Sequence, residues 1–188
     1  MSDSLITKKA LAKAVKELME VESFHKINIK SICDICGLSR KTFYYHFSDK
    51  YDLLNWIFQT EFFADYVKMS EANDSWQKLN IMLNFFYKHK RFYQNALEYT
   101  GQNSFYEYLF ETLNPLLEDY VLENFYYIDE QNEEDYEFYV NFYTSAIRYL
   151  IVDWLREGAK IEPDKLTTLI RNAITKVALN IVEDLHSD

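Results

Sequence analysis

Apolar residues recur along this chain at three- and four-residue intervals almost without interruption, a spacing that predicts helix after helix and no strand. Leu5, Leu11, Ala14, Val15 and Leu18 form one such stripe, with Lys8, Lys9, Lys13 and Lys16 between them. Residues 4–21 therefore read as an amphipathic first helix. Asn28 is a fitting N-cap for a second helix, Ile29 to Cys36, and Gly37 ends it in the left-handed conformation that glycine adopts without strain. Ser39 caps a third helix, Arg40 to His46, and Asp49 opens a longer fourth one running to about Lys68.

The rest of the chain reads as a helical bundle. Ser75 is the expected cap of a helix whose inner face holds Trp76, Leu79, Met82, Leu83 and Phe86, and a short helix near Phe92 to Tyr99 is stopped by Gly101. A further helix runs from Ser104, and Asn114-Pro115 kinks it or restarts it. Asp129 to Asp135 is expected to be a solvated acidic loop. A long helix from about Tyr136 to Glu157 ends at Gly158, and Pro163 starts the last one.

At 100° per residue, Phe43 and Phe47 share one side of the third helix and must be its buried stripe. Lys41 and Tyr45 then face the opposite way, with Thr42 and Tyr44 on the flanks. Two short helices joined by a glycine turn are the layout of a helix-turn-helix DNA reader, in which the outer face of the second helix meets base edges and its flanks meet phosphates. Lys41 and Tyr45 are thus the candidates for reading sequence. Ser39, Thr42, Tyr44, His46 and Lys50 are candidates for backbone contact, and Lys30 at the start of the preceding helix joins them. Arg40 lies at an angle closer to the core, with a stem long enough to reach a guanine or a phosphate. Tyr44 has an equal claim to a place in the small core, its ring buried and its hydroxyl wet.

Charge at first argues against nucleic acid, since the net charge is −10. It is unevenly placed: residues 1–50 hold nine Lys and Arg against six Asp and Glu, and residues 51–188 hold eleven against twenty-four. A basic head on an acidic body still attracts phosphate, because charges beyond about 10 Å are screened. We therefore expect two domains, a DNA-binding head over residues 1–50 and a sensing and dimerising bundle over 51–188.

Composition narrows the remaining classes. Apolar residues make up 48% of the chain, enough for a core, while three glycines and two prolines leave little for the turns of an all-β fold. No apolar run approaches the roughly 18 residues of a membrane span, and the N-terminus lacks the layout of a secretory signal, so a cytoplasmic protein is expected, without membrane partners. Its two cysteines would there be reduced thiols. An enzyme is disfavoured: there is no glycine-rich phosphate loop, no strand-turn-helix nucleophile, and none of the four histidines has a suitable partner in sequence. No cofactor or metal is expected. A helical adaptor that binds only protein would leave the basic flank and Lys50 unexplained.

The segment Cys36-Gly37-Leu38-Ser39, followed by Thr42-Phe43-Tyr44, His46-Phe47, Lys50 and Leu53-Leu54, resembles the signature of the TetR family of bacterial transcription regulators. The resemblance covers about fifty residues. It implies an all-α homodimer whose two heads read a palindromic operator on double-stranded DNA, and a body that answers a small-molecule effector or a protein co-regulator. Repression is the default sign and activation the alternative. The opening SLITKKALAKAVKELM, the DKYDLLNWIF stretch and the aromatic body resemble the subgroup that includes regulators of dihydroxyacetone kinase operons, which favours a protein co-regulator. Phe43 stands where the family usually has a smaller aliphatic, Tyr51 where an acidic residue is common, and Cys33 and Cys36 where alanine is usual. A redox couple or half a metal site is one reading of the two cysteines; small buried hydrophobes in place of alanine is the better one.

The last two helices carry apolar residues over more than one stripe, so each needs neighbours on two sides. By the resemblance, the second neighbour is the same pair from another subunit, with Ile147, Ile151, Trp154, Leu169, Ile170, Ile174, Val177 and Ile181 at the dimer interface. Fourteen Phe, sixteen Tyr and three Trp make the chain unusually aromatic. Tyrosines in a bundle can line a pocket, and Trp76, Tyr93, Tyr106, Tyr143 and Trp154 are the ligand candidates, each with the alternative of a core residue with a wet edge.

Overall fold

The structure is a computed structural model that describes residues 3–70, 72, 74–98, 104–124 and 133–185; the side chains of 66–70, 122–124, 133–135 and 175–185 lie outside that description. All regular structure among the described residues is helical. The elements are α1 (Asp3–Met19), α2 (Ile29–Cys36), α3 (Arg40–His46), α4 (Lys50–Ser70), α5 (Ser75–Lys88), α6 (Lys90–Ala96), α7 (Phe105–Asn124), α8 (Glu133–Arg156) and α9 (Pro163–Leu185).

Local chemistry fixes most of these boundaries. Asp49 Oδ1 accepts from the amides of Tyr51 and Asp52, 2.8 and 2.9 Å away, and so starts α4 as its sequence position suggests. The cap of α5 is Asp74, not the expected Ser75: Asp74 Oδ1 accepts from the Gln77 amide at 2.8 Å, while Ser75 is the buried first residue of the helix. α6 begins two residues earlier than Phe92 and ends at Ala96, so Gly101, which lies outside the described residues, is not what ends it. α7 runs through Pro115 as one helix, which removes the restart. Of the expected acidic loop, residues 129–132 lie outside the description, and Glu133 to Asp135 already belong to α8.

The head is built by packing α1 against α2, α3 and α4. Leu11, Ala14, Val15, Phe24, Ile27, Ile32, Phe43, Phe47, Leu53 and Leu54 are all buried there. α4 continues from the head into the body, where it meets α5 and α7. Phe58 and Phe62 on α4 stack at 5.0 Å and meet Phe85, Phe86, Tyr93 and Phe105, an aromatic cluster that joins four helices. α7 and α8 pair extensively, α9 lies on α5, and α6 fits between α8 and α1. No helix of the described residues is long and apolar enough to cross a membrane.

Burial changes the expected role of five residues. Ile147, Ile151, Trp154, Ile170 and Ile174 were assigned to a dimer interface, yet each is already buried in the single chain. The second neighbour required by their breadth is another helix of the same subunit: α8 is flanked by α7, α6 and α5, and α9 rests on α5. Leu169 stays exposed, whereas the side chains of Val177 and Ile181 lie outside the described residues.

Candidate nucleic-acid interface

The candidate reading helix, α3, is set by two caps and a turn. Asn28 Oδ1 accepts from the Ser31 amide at 3.0 Å, and Ser31 Oγ in turn accepts from the Asn28 amide at 3.3 Å, a reciprocal capping box that starts α2. Gly37 ends α2 at φ +66°, and the amides of both Gly37 and Leu38 donate to the Cys33 carbonyl. A Cβ added at Gly37 would meet nothing within 4 Å, so the requirement for glycine is the left-handed backbone itself and not space. Ser39 then accepts from the Thr42 amide at 3.0 Å, and its hydroxyl lies 2.8 Å from that of Thr42. The two candidate phosphate ligands are thus also the cap that holds the first turn of α3.

α3 is seated by its aromatic stripe. Phe43 is fully buried and Phe47 nearly so, with Phe47 against Trp56 of α4 at 5.8 Å. Lys8 of α1 covers both rings, its ammonium 5.2 and 5.7 Å from their centroids, and so braces α3 from above. With Phe43 inward, Lys41, Tyr44 and Tyr45 face solvent; Tyr45 is 83% exposed and Tyr44 57%. Tyr44 therefore leaves the core, keeping only an edge contact to Phe43 at 5.6 Å. Arg40 is exposed as well, which moves it from the core side to the open side of the helix. His46 is half-buried beside the Tyr45 ring at 4.9 Å. Lys30 is exposed and pairs with Asp34 one turn on, at 3.0 Å, a surface pair weak enough to exchange for a phosphate.

Lys50 departs from its expected place. Its ammonium donates to the carbonyls of Phe24, His25 and Ile27 at 2.8, 2.9 and 2.8 Å, which occupies all three protons. It also lies 4.9 Å from the Phe24 ring and 5.5 Å from that of Tyr51. Burial lowers its pKa from the usual lysine value, with Asp49 and Glu22 working in the opposite direction. Instead of facing a phosphate, Lys50 ties the α1–α2 turn to the start of α4.

The cysteines behave as packing residues. Cys33 is buried, and burial, with Cys36 and Asp34 nearby, raises its thiol pKa. The Cys36 thiol donates to the Ile32 carbonyl at 3.2 Å, inside its own helix.

The five aromatic ligand candidates have separate surroundings. Trp76 is half-buried against Tyr120 at 5.1 Å and under the Arg171 guanidinium. Tyr93 is buried within the aromatic cluster, where burial raises its phenol well above the ordinary range; among the described residues its hydroxyl has no hydrogen-bond partner. Tyr106 is covered by Arg156, and Tyr143 packs on Phe142. Trp154 is a core residue whose indole N–H donates to the Ile161 carbonyl at 2.9 Å. Two polar side chains that sequence reasoning passed over, Gln94 and Asn95 of α6, do cross between elements: Asn95 binds the α1–α2 turn and Gln94 the end of α8.

Comparison with known proteins agrees with this arrangement. Residues 11–57 match the profile of bacterial regulatory proteins of the tetR family, and residues 74–176 match that of a TetR transcriptional regulator C-terminal region. The HTH-type dhaKLM operon transcriptional activator DhaS of Lactococcus lactis subsp. lactis (strain IL1403) is 35% identical over 95 residues, a match that spans 50% of this chain and 50% of that relative. The fold is shared with a solved dihydroxyacetone kinase operon activator DhaS, at a TM-score of 0.66 and 23% identity over 92% of this chain and 96% of the other. It is also shared with the fatty acid degradation regulator FadR from Bacillus halodurans, at a TM-score of 0.57 and 18% identity over 87% and 92%. An exposed reading helix on a capped helix-turn-helix, carried by a helical body that matches the family's own C-terminal region, makes this chain a member of the TetR family of DNA-binding transcriptional regulators.

Proposed function

We propose that the chain works as a homodimer in which each head, residues 1–50, reads one half of a palindromic operator. The observation that carries this is the orientation of α3, with Phe43 and Phe47 buried and Lys41, Tyr44 and Tyr45 exposed on its open side. In the major groove, Lys41 would donate to guanine O6 or N7, and Tyr45 would contact a base edge. Arg40, Thr42, Tyr44, His46, Ser39 and Lys30 surround them as phosphate contacts. Lys50 positions the module from behind.

The partner surface we propose is the outer stripe of α8. Phe138, Phe142 and Tyr149 are each more than half exposed and lie along one side of the helix, with Tyr139 and Leu150 beside them and Leu169 exposed on α9. Phe138 and Phe142 stack on one another at 6.2 Å, and both rings stay more than half exposed. A row of exposed large rings of this kind suits an isologous contact with a second copy. Aspartate at Phe142 is expected to shift the species seen by light scattering from a dimer to the 22.6 kDa monomer; a dimer that survives it places the contact elsewhere.

Repression by operator occupancy is the usual default, but the two DhaS relatives are named as activators, and activation is the sign we propose. A cytoplasmic location follows from a chromosomal target. Selection of bound DNA from a random pool, at two salt concentrations, tests the reading. Enrichment of a palindrome with half-sites one helical turn or slightly more apart is the expected result. Folded dimer that enriches no sequence at low salt would refute it.

A further inference from the structure

Neighbouring residues on a helix point about 100° apart, so two adjacent polar side chains can reach two different partners. On α6 they do. The Asn95 amide oxygen accepts from the Phe24 amide at 2.7 Å, and its nitrogen donates to the carbonyls of Met19 and Glu22 at 2.9 and 2.8 Å. Every proton of the amide is in use, and the three bonds end on the last residue of α1, Met19, and on Glu22 and Phe24 of the turn that follows it. Ser23 of that turn adds a 2.6 Å bond to Glu98, just beyond α6. One residue earlier, Gln94 donates to the carbonyl of Arg156 in the last turn of α8 at 2.9 Å. The end of α8 is closed by its own backbone: Gly158 and Ala159 both have positive φ, +82° and +49°, Ala159 is buried, and its amide returns to the Trp154 carbonyl at 2.7 Å. The side chain nearest to Gly158 is Gln94, 3.4 Å from where a Cβ would stand.

The bound turn leads directly into the reading module. It runs into Asn28, the cap of α2, and three of its carbonyls, those of Phe24, His25 and Ile27, are held by Lys50. Thus a continuous set of directional bonds runs from the end of α8, through Gln94 and Asn95, to the turn that positions α2 and α3. α4 carries the head into the body as one helix, and the apolar packing around it is non-directional and leaves the head free to pivot; hydrogen bonds with fixed geometry restrict that pivot.

We propose that Gln94 and Asn95 are positioning residues that fix the DNA-reading head against α8 and so set the half-site spacing that the dimer accepts. The proposal rests on the α8-mediated dimer above. If α8 is the element shared between subunits, its C-terminal end is the frame from which each head is suspended. α6 is then the crossbar between frame and head.

Spacing is the readout that a merely stabilising pair would not change. The operator obtained by selection is rebuilt with one base pair inserted or removed between its half-sites, which moves one head by about 3.4 Å and turns it by roughly 35° relative to the other. Wild-type protein is expected to lose on the order of tenfold or more in affinity on either altered operator. Asn95→Ala, still dimeric by light scattering and folded by circular dichroism, is expected to bind all three operators within about threefold of one another. Gln94→Ala breaks the same path on the α8 side, away from the head, and is expected to flatten the preference likewise; it stands in if the Asn95 variant does not fold. An unchanged spacing preference in a folded dimeric variant, or a uniform loss on all three operators, overturns the coupling and leaves the dimer reading intact. A wild-type protein that is monomeric at operator-binding concentrations overturns the dimer reading and the coupling with it.

Discussion

Replacing Lys50 by alanine distinguishes a phosphate ligand from a structural tie. As a phosphate ligand, Lys50 would be needed only when DNA is present: the variant would keep its melting temperature, bind every sequence more weakly, and lose about 0.9 from the slope of log K against log salt. The observed geometry demands the opposite. Three N–H···O=C bonds of 2.8 to 2.9 Å join Lys50 to Phe24, His25 and Ile27. Bonds that involve a charged group contribute about 1.5 to 3 kcal/mol each when intact. Three at full strength would overstate the loss, because the half-buried ammonium gave up hydration to make them and water can reach some of the released carbonyls. A net cost of about 2 to 3 kcal/mol follows, and for a chain of this size it corresponds to a fall in melting temperature of roughly 5 to 10 °C. Thermal unfolding by circular dichroism, alongside operator binding across a salt series below the variant's transition, measures both quantities. A melting temperature within a degree of wild type together with a flatter salt slope would refute the structural role.

Three further perturbations test other parts of the molecule. Tyr45→Ala should leave stability unchanged and relax base preference at one position of each half-site, costing about 1 to 3 kcal/mol on the selected operator and little on random DNA, as competition binding would show. Gly37→Ala should destabilise the head by about 1 to 2 kcal/mol through its left-handed backbone alone, since a Cβ there has open space; denaturant melts would detect it, and a neutral result would mean that the turn can change conformation. His89 has its pKa lowered chiefly by burial, with Glu61 opposing; its stabilising contribution is therefore present above the unfolded value of about 6.5 and lost as pH falls from there through the folded value. Melting temperature should then decline between pH 7 and 5.5 more steeply in wild type than in His89→Gln, and equal slopes would exclude His89 as the cause.

The head was legible because its signals are local. Asn28, Gly37, Ser39 and Asp49 act within four residues of themselves, and the positions of Phe43 and Phe47 fix the exposed face of α3 by helix geometry alone. Lys50 was misread for the converse reason: its partners lie 23 to 26 residues upstream, and a lysine near a helix start looks the same in sequence whether it faces a phosphate or a turn. Gln94 and Asn95 were silent because an amide in a polar helical segment usually signals solvent.

The body shows how far apolar breadth can carry an argument. A wide apolar face does require two neighbours, but it does not say which stripe meets which. In α8 the inner stripe is Val140, Thr144, Ile147, Ile151 and Leu155, spaced four, three, four and four residues apart and buried throughout. The outer stripe is Phe138, Phe142 and Tyr149, spaced four and seven apart, and exposed. Tyr149 lies two positions past Ile147, about 200° around the helix, so the breadth was two opposed faces. The branched aliphatics of the inner face interlock with α7, α6 and α5, as a densely packed core requires. Exposed rings such as Phe138 and Phe142 gain by leaving water when a partner covers them, and Tyr149 beside them keeps a hydroxyl for the wet rim, which suits the stripe to assembly. On that reasoning the rings of α8, not its isoleucines, are where a second subunit should be sought.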